Sequence, residues 1–254
     1  MNDPTTSSPR VADPAGETPV ESTEEQRRTG RPRVATRQLT GDPVDEILAA
    51  AGRLFGELGV GGTTMSRIAK EVGLRQSSLY YYFSRKEEIV ATLVARANVL
   101  SLALIERISS EGGSAPLQLF RFVRGDVIAL CALPFDINEI HRVAARDPEG
   151  FSTYWVERTA LERHLSRIIR RGVTDGDLRS VHVRRAALTV LSNDEGVQNW
   201  NRGGVSTPSR LVGTEMAELT VGGLLADATT LDAVREAADV ADAAGSGTSN
   251  PSDT

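Results

Sequence analysis

The chain has 254 residues, of which 40% are hydrophobic and 25% charged, a balance that fits one or two folded domains and excludes a wholly unfolded chain. Its formal net charge of −5 would argue against a nucleic-acid partner if evenly spread. Instead residues 1–26 carry one Arg against six acids, and residues 27–95 carry eleven Lys and Arg against seven acids. No apolar run approaches the ~18 residues of a membrane span, and the N-terminus is polar and acidic, so a cytoplasmic chain with no membrane partner is expected. The single Cys131, inside the string Val127-Ile128-Ala129-Leu130-Cys131-Ala132-Leu133, permits neither an intrachain disulfide nor a cysteine metal cluster and predicts a buried, inert thiol.

In chain order, residues 1–41 are rich in Pro, Ser, Thr, Asp, Glu and Arg with almost no aliphatic periodicity, and residues 243–254 are small and polar. Both ends are expected to be disordered. Between them about nine apolar segments keep a 3.6-residue period, and nothing alternates as a strand does, so the fold class predicted is all-α. Pro43 to Leu58 places Ile47, Leu48, Ala51, Leu54, Phe55 and Leu58 on one stripe, with Pro43 suited to the first turn and Gly59 ending the helix. Thr63-Thr64 offers hydroxyl caps to a short helix Met65–Val72, Gly73 permits a tight turn, and a second short helix starts around Arg75 or Gln76. A longer helix is expected from near Ser84, capped by Ser84 with Glu87 in a capping box, to about Ser109. Further helices are expected at about 116–132, 136–146, 151–172, 181–201 and 208–226, leaving residues 229–254 as a tail.

Ala69, Gly73 and Leu79 have the spacing a helix-turn-helix requires: a small residue at the crossing, a glycine in the turn, an aliphatic residue on the inner face of the second helix. The wider string over residues 47–89 reads Ile-Leu-x-Ala-Ala-x-x-Leu-Phe-x-x-x-Gly, Thr-Thr-x-x-x-Ile-Ala, Gly-Leu, and Leu-Tyr-x-Tyr-Phe-x-x-Lys-Glu-x-Ile. This resembles the DNA-binding domain of the TetR family of transcriptional regulators. The resemblance implies a three-helix head over residues 42–90 whose third helix enters the major groove. It also implies a helical ligand-binding and dimerisation domain over residues 91–228, and a homodimer on a palindromic double-stranded DNA operator. In most members a small-molecule effector releases the DNA.

Residues 78–88 hold three of the four tyrosines in consecutive positions. Three adjacent hydroxyls cannot all face a core and all find partners, so some must face out. Leu79, Tyr82 and Phe83 share one helical face, expected inward with the Tyr82 hydroxyl at its edge; Tyr80 and Tyr81 point elsewhere. The family resemblance puts phosphate contacts at the positions of Tyr80 and Tyr82, and Tyr81 is left to reach bases. Arg75, Gln76, Ser77 and Ser78 occupy the helix N-terminus, which helix-turn-helix geometry aims at base edges; a solvated first turn is the alternative. Thr64 and Lys86 match positions where the family binds phosphate, while Arg67 and Lys70 either add backbone contacts or form a solvated face. Upstream, Arg31 and Arg33 lie in a Gly-Arg-Pro stretch, residues 27–37, similar to the minor-groove clamps called AT-hooks; a flexible basic linker is the other reading.

Beyond residue 95 the sequence has no nucleotide loop, no paired Cys/His metal spacing and no nucleophile elbow. No enzyme activity, metal or cofactor is expected. Phe120, Phe135, Phe151, Tyr154 and Trp155, with His141, are candidates for an internal pocket of the kind the family wraps in helices, although core packing alone could explain the aromatics. Ser192-Asn193-Asp194-Glu195-Gly196 interrupts an apolar run, either as a solvated turn or as polar anchors at the pocket or dimer axis. The reading from sequence is a repressor whose effector is small and largely apolar; a regulator without an effector, or an activator, is the alternative.

Overall fold

The computed structural model describes residues 41–201 and 207–246. They form ten α-helices: α1 (Pro43–Gly62), α2 (Met65–Val72), α3 (Gln76–Tyr82), α4 (Lys86–Glu111), α5 (Ala115–Ala132), α6 (Ile137–Ala144), α7 (Ser152–Asp175), α8 (Val183–Gly196), α9 (Ser209–Gly222) and α10 (Leu231–Ser246). No strand occurs among the described residues. One isolated antiparallel bridge joins Leu178 to Leu225, tying the α7–α8 loop to the end of α9. The fold is all-α as expected, with an N-terminal helix-turn-helix and a larger helical body. All but Gly41 of the extension expected over residues 1–41, with Arg31 and Arg33 in its basic arm, lies outside the described residues, as do residues 247–254.

Local chemistry sets the head. Asp42 accepts from the Val44 amide and Pro43 opens α1, so the first turn loses none of its intrahelical bonds. The backbone breaks at Gly59 (φ 73°), where the sequence ends the helix, and one further turn runs to Gly62. Thr64 caps α2 by accepting from the Arg67 amide, and Gly73 closes α2 at φ 81°, a left-handed conformation that a residue with a Cβ adopts only at a cost. Ile47, Phe55, Ile68, Ala69, Leu79, Phe83 and Ile89 then bury together, so α2 and α3 sit on a core supplied by α1 and the start of α4.

That core continues beyond the head, because Phe135, Ile137, Ile140, Phe151 and Tyr154 belong to the same cluster. Contact is close: a Cβ on Gly56 would lie 2.0 Å from the Pro134 carbonyl oxygen. A second core gathers around α5, whose Leu119, Phe120, Phe122, Val123 and Val127 pack with residues of α4, α7, α8, α9 and α10.

Three expectations change. Residues 229–254 are not simply a tail: α10 occupies Leu231–Ser246, and its last turn covers residues 243–246. Arg121 and Arg124 on α5, 3% and 4% exposed, receive α10 through Asp242 and Asp239 at 2.6 Å, and Arg121 also bonds Glu111. Leu231, Val234 and Ala238 add a narrow apolar contact to these ion pairs, and a stripe that narrow beside a small, polar end is easily read as a tail. The capping box also differs, since Ser84 bonds Glu88 through both its amide (2.8 Å) and its hydroxyl (2.6 Å), with Arg85 at the N-cap position, leaving Glu87 out. These bonds, with Arg85 nearby, hold the Glu88 carboxyl below the ordinary carboxylate range. Finally, α4 is long and apolar enough to span a membrane by length and composition, which the sequence reading did not expect. Arg96 interrupts it and pairs with Asp45 at 2.7 Å, and it lends Ile89, Val90, Val94, Ile105 and Ile108 to the two cores.

Candidate functional site

Helix α3 presents its side chains as its phase requires. Leu79 is fully buried and Phe83 is 6% exposed, whereas Tyr81 is 85% exposed, Tyr80 47% and Tyr82 37%. Tyr82 therefore lies further out than an inward face implies, with its ring edge-on to Tyr81 at 5.2 Å. Arg75 stands at the N-cap without a side-chain cap, followed by exposed Gln76 and Ser77 and half-buried Ser78. The N-terminal amides of α3 are thus not consumed by a side chain of the protein, and they add partial positive charge beside Arg75.

The surrounding charge is positive and uncommitted. Arg67, Lys70 and Arg75 are exposed, and no ion pair engages them among the described residues. Arg85 lies 3.9 Å from Glu88 and 3.7 Å from Asp147, distances that add little at half-exposed positions. Lys86 is placed differently from the expectation of a phosphate-facing ammonium. Its Nζ donates to the carbonyls of Val60 and Thr63 and so closes the C-terminal end of α1. Thr64 remains exposed at the N-cap of α2.

The six aromatic and histidine candidates do not line one apolar pocket. Phe120 belongs to the α5 core, with the Arg124 guanidinium 5.3 Å from its ring centre, while Phe135, Phe151 and Tyr154 lie in the other cluster, with Trp155 and His141 against them. Position along the chain separates them: Phe135, Phe151 and Tyr154 lie around α6 and the start of α7, in the core shared with the head, whereas Phe120 lies in the core that α5 shares with later turns of α7.

What converges beside Tyr154 and His141 is polar. The Tyr154 hydroxyl is 2.7 Å from His141 Nδ1, and His141 Nε2 is 3.1 Å from Glu195. Arg158 donates to both Glu195 oxygens. Asp126 accepts from the Ser101 hydroxyl, and Asn138 donates to the Glu195 carbonyl at 3.0 Å. Asp194, fully buried, has no hydrogen-bond partner for either carboxylate oxygen among the described residues.

Burial dominates the electrostatics. It pushes the Asp126 carboxyl up to about 6, helped by the Glu195 charge and opposed by the Ser101 hydrogen bond. It raises Asp194 well above the ordinary range, with Asp126 and Glu195 adding repulsion. For Glu195 burial is overcome by His141 and Arg158, which hold it below the usual value.

Residues 47–93 match the family described as bacterial regulatory proteins, tetR family. The solved TetR family transcriptional regulator PfmR from Thermus thermophilus is 28% identical, with a TM-score of 0.63 over 69% of this chain and 96% of its own. The head, residues 47–93, is that of the tetR family. The HTH-type transcriptional regulator TtgR of Pseudomonas putida is also 28% identical, over 167 residues that make up 61% of this chain and 78% of TtgR. The biofilm operon icaADBC negative transcriptional regulator IcaR of Staphylococcus epidermidis is 47% identical, but over only 45 residues, 24% of its length. Likeness to IcaR is thus confined to a segment of head length, while TtgR and PfmR extend it into the body.

The body also carries features that the sequence does not announce. Asp126, Ser101 and Arg158 stand on three different helices, far apart in sequence, so no local pattern groups them. Only Asp194-Glu195, as an interruption, gave a signal. Of the alternatives there, the solvated turn fits Asn193, which is exposed, and the inward anchor fits Asp194 and Glu195. Asn193 instead borders an open groove of about 430 Å³ between α8 and α9, which is lined also by His182, Thr189, Leu219 and Leu224.

Proposed function

We propose that this TetR-family regulator is a homodimeric repressor that works in the cytoplasm, binds a palindromic operator through α3 and is released by a small molecule held in the helical body. The observation that carries the reading is the exposed tyrosine triplet on a helix-turn-helix whose Arg67, Lys70 and Arg75 have no acidic partners among the described residues. Tyr80 and Tyr82 are assigned to phosphates, Tyr81, Gln76, Ser77 and Ser78 to the groove, and Arg75 to either. Thr64 and the α4 amides next to Lys86 are assigned to phosphate; the Lys86 ammonium is assigned to bracing α1 against α4. Arg31 and Arg33 are assigned to the minor groove beside the operator.

Dimerisation through α8 and α9 is supported by Leu188, Trp200, Leu211 and Leu219, which are 36–74% exposed on this part of the body. Two copies packed there would form a four-helix seam and set the spacing of the two recognition helices. Repression is supported by the likeness to IcaR, described as a negative regulator.

A gel-shift assay with DNA flanking the chain's own gene tests the reading. Sequence-specific binding of one dimer, with affinity falling steeply as salt rises, is expected. Binding equal on operator and scrambled DNA would defeat it.

A further inference from the structure

Resting on the proposed function, one more step concerns the chemistry of the effector. The sequence reading expects a largely apolar molecule. The buried centre between α4, α5, α7 and α8 instead brings together three carboxylates, Asp126, Asp194 and Glu195, against one guanidinium, Arg158, with Ser101, His141 and Tyr154 as the neutral or titratable neighbours.

Arg158 is spent on Glu195, which it grips through both oxygens, and His141 approaches the same carboxylate. Asp126 has the Ser101 hydroxyl. Asp194 is left, fully buried, next to the charge of Asp126 and with neither oxygen partnered among the described residues. A carboxyl in that position is costly whether ionised or neutral, because the ionised form lacks a counter-charge and the neutral form lacks an acceptor. Such a cost at the centre of a domain is characteristic of a binding site rather than of a scaffold.

We propose that this centre is the effector site and that it takes an organic cation, a protonated amine whose N–H groups donate to Asp194 and Asp126. Tyr154, whose hydroxyl reaches His141 at 2.7 Å, brings one aromatic ring to the edge of this centre, and a ring there favours a cation. Among the described residues no three His, Cys, Asp or Glu side chains are grouped to hold a metal ion, which favours an organic cation over an inorganic one. The effector so described keeps an apolar body and gains a positive end.

Calorimetric titration of the full chain with benzylamine and 1,4-diaminobutane, each against its alcohol counterpart, benzyl alcohol and 1,4-butanediol, tests this. At least one amine is expected to bind saturably and its alcohol not. Asp194→Asn is expected to weaken that binding about 30-fold or more while leaving operator affinity in gel shift unchanged. The same variant is expected to melt higher than the parent without ligand, which shows that the loss is not misfolding. No saturable binding of either amine, equal binding of amine and alcohol, a response to Mg²⁺ or Zn²⁺ alone, or amine binding retained in Asp194→Asn would overturn the proposal. If the parent fails to bind operator DNA, the proposed function fails while the amine titration still decides the site.

Discussion

Tyr81 and Phe83 lie two residues apart and separate recognition from folding. Tyr81, 85% exposed, contributes almost nothing to the core, so Tyr81→Ala should leave the melting temperature nearly unchanged and reduce operator affinity about tenfold or more in gel shift. Phe83, 6% exposed, closes the underside of α3, and Phe83→Ala should cost about 3 kcal/mol by denaturant unfolding. Asp126 makes the pH dependence specific. Its carboxyl is raised from 3.8 to about 6 by burial, so the folded state holds a proton that the unfolded chain releases first. This group is therefore expected to cost roughly 3 kcal/mol of stability as pH rises from about 4 to 6, and Asp194, raised by the same burial, adds a further loss as pH rises. Asp126→Asn should make the decline shallower, with the variant melting above the parent at pH 8 and close to it at pH 4.

At the scale of elements, α6 joins the polar centre to the head. Its Asn138 donates to the Glu195 carbonyl and its His141 meets the Glu195 carboxylate, while Glu139 accepts from the Val60 amide at 2.7 Å. Val60 in turn receives Lys86 from α4 on its carbonyl. A shift of α8 caused by the proposed effector would have a continuous hydrogen-bonded route to the ends of α1 and α4, which carry α3. Glu139→Ala should leave operator affinity in the absence of ligand within a few-fold and reduce the loss of DNA binding that the effector produces. Helix α10 is a different kind of element. Its carboxylates neutralise two arginines that α5 buries, so the double change Asp239→Ala, Asp242→Ala should destabilise the body by about 2 kcal/mol, read by thermal or denaturant unfolding. Gly56 works by absence, since any side chain there meets the Pro134 carbonyl, and Gly56→Ala should separate α1 from the α5–α6 turn and lower the melting temperature.

For the molecule as a whole, the head could be read from sequence because its determinants are local. The Pro43 start, the Thr64 cap, the Gly73 turn and the phase of Leu79 against Tyr81 are fixed by neighbours within a few residues, so spacing alone orders them. The same holds for the bounds of α5 and α9, which differ from expectation by a few residues at most. Local pattern failed where partners come from far along the chain. Lys86 looked like a phosphate ligand until Val60 and Thr63 claimed it, and α10 looked like a tail until Arg121 and Arg124 held it. Phe120 looked like pocket lining until α5 turned it toward a different core from Tyr154. The sequence by itself determined an all-α chain with a TetR-type head and the face of α3 that reaches outward. Only the tertiary structure decided that the body has an acidic centre, because Ser101, Asp126, Arg158 and Asp194 come from four helices. They are far apart in sequence, and the charges of Asp126, Arg158 and Asp194 acquire meaning only when burial removes the water between them.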